Sequence, residues 1–431
     1  MRALRSVAIL SLSVIVLAAA IAVARKEKED EALERRVDQL FNAYDKPGSP
    51  GCALRVVRDG NLVCKKGYGA ASLELGVPLT PESVFYMGSV SKQFTAASVV
   101  LAAEQGFLSL DDDIRKYVPE IPSYGKPITL RQMPHHTSGF RDILSLLFLA
   151  GRNSEDIHPT SELLDLLSRQ KALNFTPGDE FLYSNPITFD ERSDPSRDGQ
   201  APFSVRGRKH FQAARDGAHQ LLRRPHGGAA RPSRRVCAAP GRRLSRRLST
   251  NYDMVGGGGL MSSVDDHQLW DRNFYDNKLG KGTLLKEMQT QGVLNNGKQI
   301  QYALGLFISK YRGLPIVAHD GANFGYRTML LRFPQQRLSV ICLCNLGTSN
   351  PIRLSYQVAD LYLGGQLAPD PQPAAGAKVD PQPFTGWYRN PESHSAHQLS
   401  AADSDIVALG THFKAAQRKS FRRHAWGRNR F

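Results

Sequence analysis

Two side chains with the makings of nucleophilic chemistry, Ser89 and Lys92, stand three residues apart at the head of the stretch Gly88-Ser89-Val90-Ser91-Lys92-Gln93-Phe94-Thr95-Ala96-Ala97-Ser98-Val99-Val100-Leu101-Ala102-Ala103-Glu104-Gln105-Gly106. From Phe94 onward this stretch is apolar on nearly every face, and Gly106 marks a C-terminal stop, so the pattern predicts a helix over 89–105 buried all round. Residues i and i+3 share one face of such a helix. At its N-terminus the Ser89 hydroxyl meets unpaired N–H groups and the positive end of the macrodipole. A lysine in that apolar setting loses its hydration shell, which lowers its pKa and frees a lone pair to act as a base. Ser89 is then the nucleophile and Lys92 its activator. The spacing alone is weak, because S-x-x-K recurs at Ser123–Lys126 and Ser168–Lys171. The second copy sits in a Gly/Pro-bounded loop and the third ends a polar helix, where the lysine is solvated.

Acyl transfer also needs a second proton carrier for the leaving group and donors for an oxyanion. Tyr183-Ser184-Asn185 offers a phenol and an amide on one loop. A phenol beside a lysine is expected to have a lowered pKa and to exchange protons with the serine. Y-x-N recurs at Tyr275–Asn277 and Tyr388–Asn390, so this motif too gains weight only from its context. His319-Asp320-Gly321 ends one predicted strand that pairs with the next.

The elements that must position these groups follow from periodicity and turn chemistry. Leu33, Val37, Leu40, Phe41 and Tyr44 recur at helical spacing and give an amphipathic first helix. Strands are expected at about Cys52–Val57 and Leu62–Lys66 around the turn Asp59-Gly60, which pairs Cys64 with Arg55 and points Cys52 to the opposite face. The middle third is loop-rich and helical. Apolar β-rich runs return at Tyr302–Ser309, Pro315–His319, Tyr326–Phe333 and Leu338–Cys344, and Pro351 opens a helix through Leu363. Strands at both ends with helices between predict an α+β fold: one antiparallel sheet flanked by helices, with a mostly helical insertion.

The formal charge of +16 invites a nucleic-acid or membrane-surface reading, which its distribution argues against. Residues 190–250 carry 15 basic and 5 acidic residues, and 413–431 carry 7 basic and none acidic. The remainder is close to neutral, so nucleic-acid binding is not expected. The five cysteines (Cys52, Cys64, Cys237, Cys342, Cys344) have no C-x-x-C spacing and indicate neither a zinc site nor a disulfide framework. Cys342 and Cys344, on one face of one strand, read as small buried hydrophobes rather than a bridge.

With these motifs in order along the chain, the sequence resembles the penicillin-recognising serine hydrolases: class C β-lactamases, D-alanyl-D-alanine peptidases and related esterases. The likeness covers residues 36 to 186 and 251 to 365. It rests on Gly88-Ser89-Val90-Ser91-Lys92-Gln93-Phe94-Thr95, the run 106–113, His136-Thr137-Ser138-Gly139-Phe140 and the stretch from Phe175 to Asn185. Gly257-Gly258-Gly259-Leu260-Met261-Ser262-Ser263 and His319-Asp320-Gly321 complete it. The resemblance implies that Ser89 is acylated and that Lys92 and Tyr183 handle the proton. Asn185, His319, Gly321 and Ala322 would bind substrate, with Asn185 holding the substrate amide or the lysine. The N–H groups of Ser89 and Ala322 would form the oxyanion hole. His319 stands where β-lactamases and many peptidases place a lysine, so it is expected to give a weaker, pH-dependent positive site for a substrate carboxylate. Members with His-x-Gly look more like esterases and D-amino-acid peptidases than dedicated β-lactamases. His136 reads as a loop-packing residue. No metal or organic cofactor is implied, and the expected substrate is a small ester, a D-amino-acid peptide or a β-lactam.

The remaining organisation is read from composition. Residues 1–24 have the build of a signal peptide, with the apolar stretch 7–24 also long enough to anchor the chain in a membrane; an exported, periplasmic or secreted protein is expected. The hydrolase domain spans 31–365, residues 366–383 form a linker rich in Pro, Ala and Gly, and 384–431 form an incomplete β-like module. After Asn185 the family pattern gives way to the Arg-rich stretch 190–250, which has almost no apolar periodicity. It reads as out-of-frame sequence and, failing that, as a basic insertion; a catalytically impaired envelope-binding protein is the alternative function it raises.

Overall fold

Apolar strands from opposite ends of the chain's central region pair with one another and so set the architecture. In a computed structural model the described residues are 28–152, 158–185 and 255–369 (281 excepted), with 21, 25 and short segments at 236–237, 245–246, 385–389, 396–402, 405–408 and 411–414. Strands β1 (Cys52–Arg58), β2 (Asn61–Tyr68), β3 (Phe307–Tyr311), β4 (Leu314–Asn323), β5 (Tyr326–Phe333) and β6 (Leu338–Cys344) form one antiparallel sheet in the order β2-β1-β6-β5-β4-β3. The β1/β6 pair, from Cys52↔Cys344 to Arg58↔Leu338, joins the early and late segments inside the sheet.

The alternation of side chains along each strand divides two cores. Leu54, Val56, Leu331, Val340 and Cys342 face helix α1 (28–41), through Val37 and Phe41, and helix α7 (Pro351–Leu363), through Leu354 and Val358. Ala53, Val317, Leu330, Ile341 and Leu343 face helix α2 (Ser91–Glu104) and, through Trp270, helix α5 (Val264–Asp276). Helices α3 (Ile143–Leu149) and α4 (Thr160–Ser168) build a separate core with Ile121, Leu130 and Phe140, and helix α6 (Leu284–Gln289) packs on α2. The fold is the α+β arrangement expected, a six-stranded antiparallel sheet with helices on both faces and a helical insertion.

Buried polar bonds fix α5 in place. Trp270 Nε1 donates to Gln93 Oε1 at 2.7 Å, and Asp271 accepts from Arg332 Nε at 2.7 Å and from Ser339 Oγ at 2.6 Å.

Four expectations are corrected. A β-bulge between Val56 and Val57 shifts the first hairpin by one residue, so Cys64 pairs with Val56 and faces the same core as Cys52. Cys52 and Cys344 form a disulfide, with Cα atoms 4.0 Å apart. Spacing along the chain hides this bond, because strand pairing brings together residues 292 positions apart. The run from Tyr302 becomes a strand only at Phe307, while β4 continues past His319 to Asn323. The helix expected over 89–105 begins at Ser91, after a single 3-10 turn at Gly88–Val90.

The leader, most of 190–250, most of the linker and the tail beyond 414 lie outside the described residues. Among the described residues no helix is long and apolar enough to cross a membrane. Within 384–431, Gly386–Arg389, Ala396–Ala402, Asp405–Ala408 and Thr411–Lys414 pair as a four-stranded antiparallel sheet.

Candidate active site

The turn that carries Ser89 is clamped from both sides. A two-residue strand, Phe85–Tyr86, pairs with Met261–Ser262, and Met87 N–H donates to the Leu260 carbonyl at 2.9 Å. Gly88 has φ +55°, and a Cβ there would lie 2.8 Å from the Ala322 nitrogen. Only glycine lets the turn approach β4 this closely. Between Phe85 and Phe94 every residue is buried except Ser89, which is half-buried. The sequence thus delivers one reachable hydroxyl at the mouth of an otherwise closed helix.

Lys92 lies one helical turn further on, and its Nζ donates to three oxygens. These are Ser89 Oγ at 3.0 Å, Asn185 Oδ1 at 2.8 Å and the Gly257 carbonyl at 2.9 Å. Three acceptors use all the donors of an ammonium group. Burial pushes the lysine pKa down to about 7, against the opposing charges of Asp142 and Asp320. Near neutrality a large fraction is therefore the free amine, which can accept the Ser89 proton along the same line. By contrast, Lys126 and Lys171 of the other two S-x-x-K copies are exposed.

A buried cluster of rings backs this pair. The Tyr183 ring centroid lies 5.0 Å from Lys92 Nζ, and the ring packs at a tilt against His136, with centroids 4.2 Å apart. Burial raises the Tyr183 pKa, and the nearness of Ser89 only partly offsets it; the lowered pKa expected beside a lysine is overruled by desolvation. Among the described residues the Tyr183 hydroxyl has no hydrogen-bond partner of good geometry. His136 Nδ1 accepts from the Ser184 N–H at 3.4 Å, and its ring also packs on Tyr302. The packing role expected for His136 is thus the one its contacts describe.

His319 differs from expectation. Burial holds its pKa down to about 3, with Lys92 pressing the same way, so it is neutral and offers no positive charge to a carboxylate. Its ring nitrogens are engaged by the Tyr302 hydroxyl at 2.7 Å and the Asp320 carbonyl at 2.6 Å. Gly321 lies under the serine turn, where a Cβ would fall 2.1 Å from the Met87 carbonyl oxygen. The β3 pairing ends at Ala318, and among the described residues no strand pairs with β4 on that side at Gly321 and the exposed Ala322, next to the serine turn.

Asp142 is a site residue that the sequence reading missed. It accepts from both the backbone N–H (2.7 Å) and the side-chain Nδ2 (2.8 Å) of Asn185. The available signal was an Asp just ahead of the apolar run Ile143–Leu149 with Ser145 three residues on, an N-cap pattern. The described residues also bring the sulfurs of Cys52, Cys342 and Cys344 together, two of them tied in the disulfide.

Serine, lysine, tyrosine and asparagine at the junction of a buried helix and an antiparallel sheet define a class of acyl-transfer site. A model of the beta-lactamase family matches residues 34–187 and 202–363, and the chain belongs to that family. The second matched stretch begins inside the Arg-rich region. The chain is 27% identical to a D-aminopeptidase of Gluconobacter oxydans over 78% of its own length and 63% of the relative's. It is 24% identical to a D-aminopeptidase of Cereibacter sphaeroides, over 84% of this chain and 67% of the relative. It thus spans about two thirds of the length of these relatives. Its fold is similar to that of the octameric penicillin-binding protein homologue from Pyrococcus abyssi, with a TM-score of 0.63, 21% identity and 89% of each chain covered.

Proposed function

We propose that this chain is a serine acyl hydrolase that releases an N-terminal D-amino acid from an amide or short peptide through an acyl-enzyme on Ser89. The observation that carries this reading is Lys92, held at 3.0 Å from Ser89 Oγ with a pKa near 7. The Lys92 amine takes the Ser89 proton as Oγ bonds to the substrate carbonyl carbon. The N–H groups of Ser89 and Ala322 stabilise the oxyanion. Tyr183, a protonated phenol, gives its proton to the departing amine and is reprotonated from the Lys92 ammonium. Water then attacks the ester carbonyl carbon and gives a proton to Lys92; the bond to Ser89 Oγ breaks, Oγ takes that proton from the Lys92 ammonium, and the free amino acid leaves.

Substrate class is supported by the D-aminopeptidase relatives and by a neutral His319, which favours substrates without a carboxylate at that position. The leader-like Met1–Ala24 supports export to the periplasm or medium, or anchoring in a membrane through residues 7–24, which cell fractionation of the full chain tests. The impaired-binder reading is favoured by one feature, the Arg-rich text that follows Asn185.

The test is incubation with a fluorophosphonate followed by intact mass, alongside turnover of D- and L-alanine p-nitroanilide. An adduct absent in Ser89→Ala and selective release from the D-substrate are expected. Folded protein that takes no adduct rejects the hydrolase; equal turnover of both enantiomers rejects the D-specific reading.

A further inference from the structure

We propose that Asp142 is a positioning residue of this site, fixing the Asn185 amide in the one orientation that offers its oxygen to Lys92. The inference rests on the reading of Lys92 as the base. A carboxylate only accepts, so the atom of the Asn185 side chain that faces it must be the NH₂ group. That bond, at 2.8 Å, leaves Asn185 Oδ1 pointing at Lys92 Nζ, also at 2.8 Å. A flipped amide would set oxygen against carboxylate and NH₂ against the lysine. Oδ1 of Asp142 also takes the Asn185 backbone N–H at 2.7 Å, so side chain and loop are held together.

The opposite oxygen makes the anchor rigid. Asp142 Oδ2 accepts from the N–H of Ser145 at 2.9 Å and from its hydroxyl at 3.0 Å, capping α3. One carboxylate thus ties the loop of Tyr183 and Asn185 to the start of the helical insertion. It also acts on Lys92 through its charge, opposing the effect of burial. The other groups around the lysine are Asp320 on β4, which acts in the same sense, and the uncharged Tyr183, His136 and His319.

The experiment is a ¹³C-lysine NMR titration of the full chain, with the Lys92 signal assigned by its loss in Lys92→Met. It compares wild type, Asp142→Asn, Asp142→Glu and Ser145→Ala. Asparagine caps a helix as well as aspartate does, so Asp142→Asn retains α3. In that variant the Lys92 midpoint moves acidward by about one pH unit, and kcat falls about tenfold or more with KM little changed. The acid limb of kcat moves the same way, because a base with a lower pKa is free at lower pH. Asp142→Glu keeps the charge, leaving the midpoint near its wild-type position while kcat drops. Ser145→Ala leaves the midpoint in place. A Lys92 midpoint that stays put in Asp142→Asn, or an undiminished kcat where wild type turns over, overturns the proposal. Absence of any Ser89 adduct rejects the hydrolase instead, and the titration still reads Asp142.

Discussion

The Tyr302 hydroxyl and His319 Nε2 stand 2.7 Å apart with both side chains buried. Because His319 Nδ1 faces a carbonyl, which can only accept, the proton sits on Nδ1 and Nε2 accepts from Tyr302. Replacing Tyr302 by Phe leaves a buried acceptor without a donor and should cost about 1–3 kcal/mol of stability. Chemical denaturation of Tyr302→Phe against wild type measures it, and equal stability would count against the assigned bond.

The same histidine makes stability depend on pH. His319 and His267 have native pKa values held down to about 3 and about 4 by burial, below the unfolded value of 6.5. The unfolded state therefore binds more protons in acid, and stability falls as pH drops from about 6.5 through 3. No matching change in KM is expected between pH 5 and 8, because His319 carries no charge there. A KM that rises as His319 loses a proton across that window would restore the cationic role.

Lys92 acts in the same sense over a more alkaline window. Its native pKa of about 7 lies below the ordinary 10.5, so burial penalises the native state fully below pH 7. That penalty fades as pH rises towards 10.5, because over this span the unfolded chain binds the extra proton. Lys92→Met should lose kcat by about a thousandfold. It should also be more thermostable relative to wild type at pH 7 than at pH 10, read from paired melting curves. A difference that does not change with pH would mean that Lys92 titrates normally.

The parts of this molecule that sequence exposes are those written in local pattern. The α2 stretch shows its burial through unbroken apolar residues, and the β4–β6 runs show theirs through β-rich composition bounded by turns. Ser89, Lys92, Tyr183 and Asn185 were legible because each lies in a short motif with matching flanks. What stayed hidden depends on partners distant in the chain. The bulge at Val56 and the Cys52–Cys344 bond follow from strand register. The neutrality of His319 follows from burial, with the nearby Lys92 pressing the same way. Asp142 looks like an ordinary helix cap until the loop carrying Asn185 folds over it.

The disulfide should be visible in solution as a bond between Cys52 and Cys344, with Cys64 and Cys342 buried and unreactive until the protein unfolds. Because it joins β1 to β6 across most of the chain, its loss in Cys52→Ala with Cys344→Ala should cost about 2–4 kcal/mol. Peptide mapping under non-reducing conditions and melting of the double variant check it. Free thiols at all four of these positions in the unfolded, unreduced protein would remove the bond.

Gly321 sets how closely the serine turn can approach β4. A methyl group there would lie 2.1 Å from the Met87 carbonyl oxygen and 2.4 Å from Thr328 Oγ1, and these two atoms are themselves bonded at 2.8 Å. The Met87 carbonyl is backbone joined directly to Gly88, so its retreat moves Gly88 and Ser89 away from the Ala322 amide. Gly321→Ala should therefore lower kcat/KM by about a hundredfold or more, since a displacement near 1 Å at a reacting group has that effect. It should destabilise the fold by about 1–3 kcal/mol, as overpacking does. Gly365→Ala, whose added methyl group meets open space, is the control and should change stability by no more than about 0.5 kcal/mol. Full activity in Gly321→Ala would show that the oxyanion is held by donors other than the Ala322 edge of β4.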